Sequence, residues 1–312
     1  MHTFGPEFES LDAAFSWVLA RCLQNGQRTA PRGIATLELL PVAFTINDPR
    51  RRYVSLPPRR WSIVYAIGEL CWHLRGSSLV DEIAHYASRW RAIAGNATEV
   101  TGSNYGAKIF KGHGGAPSQW NRVITQLCAD RDSRRAVLYF SGTGEDPSSD
   151  SKDIACAVSL QFLIRDEKLD AIANMRSNDA MLGLPYDVFL FSMLQEMAAT
   201  SLGVEVGKYN HIAGSLHLYE SDLSLAKDII SSRASEIRPM PRMESLSGLP
   251  NLLAGEAELR TGQLPQISNL QPGYWSALLA VLAAGKGRHD LSCKPLTLIE
   301  DSVLANLYSL RQ

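Results

Sequence analysis

A cysteine, an Arg-Ser-Asn-Asp run, a Leu-Gly-Leu-Pro-Tyr-Asp run and a His-Leu-Tyr triplet fall within under seventy residues, between Asp153 and Tyr219. Together they offer a nucleophile, donors for an anion and carboxyls able to move protons, a combination that suits a nucleotide site. Ile154, Cys156, Val158, Leu160 and Phe162 alternate with smaller or polar neighbours. That spacing predicts a strand with Cys156 on its apolar side. A thiol there is either a small core hydrophobe or a reactive group. Arg134 and Arg135 upstream and Arg176 downstream could favour the thiolate, which is the nucleophilic form.

The elements that must carry these residues are legible as periodicities. Residues 10–24 have helical spacing and end near Asn25-Gly26, with Arg28 directly after. Residues 34–46 read as strands broken by Asn47-Asp48-Pro49. Residues 61–75 read as a helix with Glu69 at the edge of its apolar stripe, either a partly exposed residue or, if buried beside Trp72, a proton carrier of raised pKa. One amphipathic helix is expected over 80–94, carrying Tyr86 and Trp90, followed by a loop-rich stretch from Gly95 to Gly115 that holds Tyr105. A helix at 118–129, a strand at 134–142 and a polar loop from Gly142 to Asp153 lead into the cysteine strand. Strands at 157–165 and 169–176 form a hairpin through Arg165-Asp166-Glu167-Lys168, and 187–202 reads as a buried helix. Helices are expected at 221–232 and 275–285, with a Pro-rich surface loop at 233–252.

Composition narrows the classes. The chain has 312 residues, 45% of them hydrophobic, and a formal charge of −1, enough for a sizeable core and without the basic excess of a nucleic-acid binder. The doublets Arg51-Arg52, Arg59-Arg60 and Arg134-Arg135 read as local, and most such doublets are solvated faces. The five cysteines are scattered, with no C-x-x-C pair, which fits a reducing cytoplasm and implies no metal. No signal peptide and no apolar run of membrane-spanning length is recognisable, so no membrane association is expected.

Asp153-Ile-Ala-Cys156-Ala-Val-Ser-Leu-Gln-Phe162, Arg176-Ser-Asn-Asp179, Leu182-Gly-Leu-Pro-Tyr-Asp187 and His217-Leu-Tyr219 resemble the thymidylate synthase superfamily, in order and at matching intervals. Upstream, Glu69-Leu-Cys-Trp-His-Leu-Arg-Gly76 is similar to the family's Glu-Leu-Leu-Trp-Phe-Leu-Arg-Gly helix, and Gly102-Ser-Asn-Tyr-Gly106 to its Gly-Pro-Val-Tyr-Gly turn. The resemblance covers about residues 8–225 and fades over 226–312. It implies an α/β (α+β) three-layer fold, a large mixed sheet with packed helices, read as a single domain over 1–312 and a homodimer through the sheet. It also implies Cys156 as nucleophile, Glu69, Tyr105 and Asp179 in proton handling, and phosphate contacts from Arg28, Arg176 and Ser177. Arg134 and Arg135 would reach the phosphate across the dimer interface, His217 and Tyr219 would hold the sugar, and Gly183 would border nucleotide and folate. Asp179 and Trp90 would also face the folate, although for Trp90 a core role is equally open.

The last residue of the Leu-Gly-Leu-Pro run addresses the substrate. Members that methylate dUMP carry asparagine there, which matches uracil; cytosine presents the reverse pattern of donor and acceptor, which a protonated carboxyl at Asp187 fits. A mismatched buried pair typically costs about 1–3 kcal/mol per unpaired group. The same asparagine-to-aspartate change marks the family's cytidylate hydroxymethylases. The expected reaction is therefore C5 hydroxymethylation of CMP or dCMP, with 5,10-methylenetetrahydrofolate as one-carbon donor and water as final acceptor, through a Cys156–C6 adduct and with Asp187 protonating N3. Relatives from nucleoside-antibiotic pathways use CMP and phage-type relatives use dCMP; the alanine- and arginine-rich texture inclines toward the former. The alternatives are thymidylate synthase-type methylation of dUMP and a catalytically silent nucleotide- or RNA-binding relative. Departures from the family pattern are Ala155 and Ala157 flanking the cysteine in place of proline and histidine, Met175 in place of glutamine, and a C-terminus, Leu307 to Gln312, without the apolar folate-closing tail.

Overall fold

Period-two alternation over three long stretches builds the sheet, and the computed structural model describes it within residues 5–112, 114–141, 152–236, 238–263, 273–285 and 303–309. The chain divides into two compact units. The first comprises residues 1–61, 126–137 and 156–240; the second comprises 62–125, 138–155 and 241–312.

The first unit is organised by a mixed sheet with β1 (Glu7–Phe8), β2 (Gln27–Thr29), β3 (Thr36–Leu39), β4 (Val42–Ile46), β5 (Val137–Tyr139, of which only Val137 belongs to this unit), β6 (Ala157–Arg165), β7 (Lys168–Asp179) and β8 (Glu205–Tyr219). Its path is β1-β4-β8-β7-β6-β5, with β3 also beside β8 and β2 beside β3. The pair β7–β8 is parallel, while β6–β7 and β4–β8 are antiparallel. Helices α1 (Leu11–Asn25) and α7 (Gly183–Leu202) pack on it, α7 over β7 and β8, and α8 (Leu223–Ser231) packs on α1. Ser10 starts α1 by accepting from the Ala13 N–H, and α1 buries Leu11, Phe15, Val18 and Leu19. The β6–β7 hairpin closes as expected, Arg165 opposite Lys168, with Asp166 and Glu167 both at positive φ (50° and 58°), the two-residue turn whose twist suits a hairpin.

The second unit is helical: α2 (Ile63–Leu74), α3 (Val80–Ala84), α4 (Arg89–Ala94), α5 (Tyr105–Phe110), α9 (Leu249–Arg260), α10 (Tyr274–Gly285) and α11 (Val303–Ser309). Helix α6 (Gln119–Ala129) extends over the boundary between the two segments. α2 is buried on nearly every side and contacts α5, α9, α10 and α11. Three expectations are corrected. The helix over 80–94 is two short helices, the loop-rich stretch after Gly95 contains α5, and the Pro-rich segment gives way to α9 at Leu249, with Pro250 in its first turn where a missing N–H costs nothing. Most of the loop after Gly142, Cys293 and the C-terminal residues 310–312 lie outside the described residues.

The cysteine strand differs in phase from its sequence pattern. The register between β6 and β7 shifts between Ala157 and Ser159. Ala157, Leu160 and Phe162 face the core, whereas Val158 is 37% exposed and Cys156, just before β6, is half-buried. A bulge inserts one residue and re-aims the side chains before it. The thiol is therefore not part of the apolar row that its spacing predicted.

Candidate active site

In the first unit, β6, β7 and β8 bring most of the motif residues to one place. The Arg176 N–H donates to the Cys156 carbonyl at 2.9 Å, and Arg176 Nη2 lies 4.0 Å from Cys156 Sγ. A guanidinium aimed at sulfur is the partner a thiolate nucleophile needs. Parallel pairing of β7 with β8 sets Ser177 opposite Ser215 and Asp179 opposite His217. Asp179 Oδ1 accepts the N–H groups of Met181 (2.8 Å) and Leu182 (3.2 Å), shaping the turn into α7. Burial, partly offset by Asp179 and Glu38, holds the His217 imidazole below its usual range. Burial first, then Asp179, pushes the Tyr219 phenol up, and Cys156 and Arg32 contribute to the field at the same ring. Cys156, Asp179, His217 and Tyr219 thus share one electrostatic neighbourhood.

The arginines that the sequence singled out lie at different depths. Arg28 on β2 is 81% exposed and loosely paired to Glu220 at 3.6 Å. Arg134 and Arg135 are exposed, the Arg134 carbonyl accepting from Gln161 Nε2 at 2.9 Å. Such exposed guanidinia suit an anionic ligand. Arg59 does not behave as a solvated doublet: it is 8% exposed, donates Nε to the Met181 carbonyl at 3.0 Å and sits over the Tyr186 ring. Arg52 likewise is fully buried and ion-paired with Glu196.

Asp187 sits five residues into α7, counting Gly183 as the first, and its Oδ2 accepts from Asn178 Nδ2 at 2.8 Å. A Cβ at Gly183 would lie 3.2 Å from Asn178 Nδ2, close enough that one of the two would have to shift by a few tenths of an ångström, and in ordinary contact with Asp187 Oδ2 at 3.4 Å. Asn178 Oδ1 in turn faces His211 Nε2 at 2.9 Å, and His211 Nδ1 faces the Tyr209 hydroxyl at 3.1 Å.

In the second unit, Glu69 on α2 has its pKa pushed from 4.5 to about 7 by burial, against the opposing pull of the Tyr65 hydroxyl and the Arg89 charge. Tyr65 donates to Glu69 Oε1 at 2.5 Å and receives Trp90 Nε1–H at 3.1 Å. Trp90 is 8% exposed, tilted against Trp72, and so lies in the interior. Tyr105 is stacked on His73 (5.7 Å, 9°), whose Nδ1 accepts the Gly106 N–H at 3.1 Å. Deep burial lowers His73 to about 3, so the ring is a neutral acceptor. Asp153 organises the preceding turn, accepting the N–H groups of Thr101, Gly102 and Ser103 and the Ser103 hydroxyl at 2.7–2.9 Å.

Sequence reasoning missed Arg32, Arg59, Tyr65, Asn178, Tyr209 and His211. Asn178 stands inside the Arg-Ser-Asn-Asp run, and Tyr65 lies one helical turn before Glu69, which was the available signal. Nothing local marked His211. Among the described residues no group of His, Cys, Asp and Glu could hold a metal ion. No described helix is long and apolar enough to cross a membrane.

A family profile described as thymidylate synthase matches residues 13–250. The chain is similar to a deoxyuridylate hydroxymethyltransferase of Bacillus phage SP01, 31% identical over 215 residues, which is 66% of this chain and 56% of that relative. It also matches a deoxyuridylate hydroxymethyltransferase of Delftia phage PhiW-14, 24% identical over 279 residues, 83% of this chain and 75% of the relative. A thymidylate synthase of Buchnera aphidicola subsp. Schizaphis graminum is 27% identical over 216 residues, 67% of this chain and 80% of the relative. The match to the first covers little more than half of that relative's length. The chain belongs to the thymidylate synthase family.

Proposed function

We propose that this member of the thymidylate synthase family hydroxymethylates C5 of a cytosine mononucleotide, CMP or dCMP. The observation that carries the reading is Asp187, a carboxyl held by Asn178 at the position where uracil-reading members have a carboxamide. Hydroxymethyl transfer is supported by the names of the two phage relatives, which act on deoxyuridylate. Those names also favour a second reading, the same transfer to dUMP, against which Asp187 weighs.

In the proposed mechanism Cys156 Sγ adds to C6 of the base, with Arg176 beside the sulfur, and turns C5 into an enamine carbon. Asp187 shares a proton with N3 and accepts from the exocyclic amino group, which draws electrons into the ring. 5,10-Methylenetetrahydrofolate would supply the one-carbon unit and leave as tetrahydrofolate; loss of the C5 proton gives an exocyclic methylene, water adds to it as the hydroxyl group, and the Cys156–C6 bond breaks to restore the ring double bond and the thiolate. Glu69, with a pKa of about 7, exchanges protons at neutral pH, and Tyr105 assists in ordering solvent. Arg28, Arg176 and Ser177 bind the 5′-phosphate together with Arg134 and Arg135 lent across a homodimer, while His217 and Tyr219 hold the sugar. Asp179 fixes the turn that presents Gly183 and α7 to nucleotide and folate. Trp90, whose indole N–H donates to the Tyr65 hydroxyl, would face the folate with its ring.

The test is release of C5 hydrogen from CMP, dCMP, UMP and dUMP, each incubated with protein and methylenetetrahydrofolate, with product masses recorded. A hydroxymethyl gain on a cytosine nucleotide alone is expected. A methyl product from dUMP alone would overturn both base and acceptor, and a hydroxymethyl product from dUMP alone would select the second reading.

A further inference from the structure

We propose that Asn178, His211 and Tyr209 form a buried positioning relay that fixes the carboxyl plane of Asp187 and thereby sets its preference for cytosine over uracil. The inference rests on the reading that Asp187 faces the base.

The relay is a single file of polar groups inside the first unit, between the sheet and α7. Tyr209 and His211 are two apart on β8 and so project to the same face. Tyr209 and His211 are 0% exposed, and Asn178 is 1% exposed. Phe44 stacks on the His211 ring at 5.0 Å and 20°, which fixes the imidazole plane. Burial keeps His211 neutral, its pKa lowered to about 3, so the ring has one N–H and one acceptor nitrogen.

The hydrogen-bond directions follow from the Asp187 end. Asn178 Nδ2 donates to Asp187 Oδ2, so the amide oxygen must face His211. An amide oxygen only accepts, so His211 carries its proton on Nε2 and accepts on Nδ1. Tyr209 then donates its O–H to that nitrogen. All three bonds point toward Asp187, and reversing one of them requires an amide flip, a tautomer change and a hydroxyl rotation together. Partly satisfied buried polar chains are costly, so the file persists only as a complete set.

The consequence for recognition is directional. A carboxyl held as an acceptor toward Asn178 can accept from a 4-amino group and share a proton with cytosine N3. Facing uracil, the same carboxyl meets O4, a second acceptor. Disrupting the relay weakens the donor that orients Asp187 Oδ2, and with it this contrast.

Direct binding of CMP, dCMP, UMP and dUMP to the full-length protein, by isothermal titration, tests the relay without requiring turnover. The variants are His211→Phe, which keeps the stacking area, Tyr209→Phe, His211→Gln, which keeps an amide donor, and Asp187→Asn. His211→Phe is expected to shrink the cytosine-to-uracil affinity ratio roughly 10- to 100-fold. Tyr209→Phe should shrink it less, and His211→Gln should restore most of it. Should His211→Phe fail to fold, Tyr209→Phe and His211→Gln carry the comparison. A relay with only a structural role would lower binding of all four nucleotides alike; an unchanged ratio in the His211 and Tyr209 variants, while Asp187→Asn shifts it, overturns the relay and leaves Asp187 as base reader. An unchanged ratio in Asp187→Asn removes the base-reading role and the relay with it.

Discussion

Glu69→Gln should stabilise the protein at pH 8 relative to the wild type and do little at pH 4. Burial raises the Glu69 pKa from 4.5 to about 7. Between those values the folded protein holds a proton that the unfolded chain has released. Stability therefore falls as pH rises through that window, and the loss is complete above the folded pKa. At about 1.4 kcal/mol for each pH unit that separates the two values, the penalty at pH 8 is on the order of 3 kcal/mol. Glutamine has no proton to lose and can still accept from Tyr65, so the variant escapes the penalty. Urea unfolding followed by tryptophan fluorescence at pH 4, 6 and 8 would show the gap between variant and wild type opening in that order. Asp12, raised to about 6 by burial, and the buried His73 and His211 titrate in both proteins and largely cancel in the difference. Tyr65→Phe sharpens the test. The Tyr65 hydroxyl lowers the Glu69 pKa, and a hydrogen bond to a charged group is worth about 1.5–3 kcal/mol, so its removal should raise that pKa further and deepen the loss of stability at alkaline pH. A gap that stays constant from pH 4 to pH 8 would refute the buried-acid account of Glu69.

Cys156→Ser should retain nucleotide binding yet lose at least about 10⁴-fold in turnover, and it should no longer be labelled by a 5-fluorinated cytidine nucleotide, as read by intact-protein mass spectrometry. Arg52→Met should cost about 3–5 kcal/mol in urea unfolding, because it removes the cation paired with the buried Glu196 carboxylate, whereas the double change Arg52→Met, Glu196→Leu should recover most of that loss. Asp153→Ala removes the acceptor for three backbone N–H groups and one hydroxyl; an expected loss of roughly 2–4 kcal/mol should appear with new proteolytic cleavage around Thr101 to Asn104.

Periodicity made much of the fold legible. Leu11, Phe15, Val18 and Leu19 mark α1, Ile63, Ile67, Leu70 and Leu74 mark α2, and the β6–β7 turn is announced by four consecutive charged residues. What periodicity could not show was interruption. The bulge between Ala157 and Ser159 leaves the composition unchanged and reverses the phase of the cysteine segment, and α3 and α4 carry one amphipathic pattern across a break at His85 to Ser88. Strand β8 was obscured because His211 points inward among apolar neighbours, while Lys208, Asn210 and Ile212 point outward. Arg52 and Arg59 read as surface charge because their partners, Glu196 and the Met181 carbonyl, lie more than a hundred residues away in sequence. A buried ion pair is a long-range fact with no local signature.

The candidate site divides along the same line. Cys156, Arg176, Asp179, His217 and Tyr219 fall in short runs because neighbouring strands β6, β7 and β8 present them in register, and that register is what a motif records. Base preference is proposed to depend on residues that no motif would select. Tyr209 and His211 act, on this account, only through Asn178, and the alignment is set by where β8 pairs with β7. A one-residue slip of β8 would turn both side chains to the opposite face. It follows that Asp187→Asn alone should transfer preference toward uracil only in part. Asn178 Nδ2 would still aim at position 187 and draw the new carboxamide oxygen to itself, so the N3–H of uracil would have to share that acceptor. A fuller transfer should need His211 or Asn178 changed as well, and the double variant should exceed either single change in its uracil-to-cytosine affinity ratio.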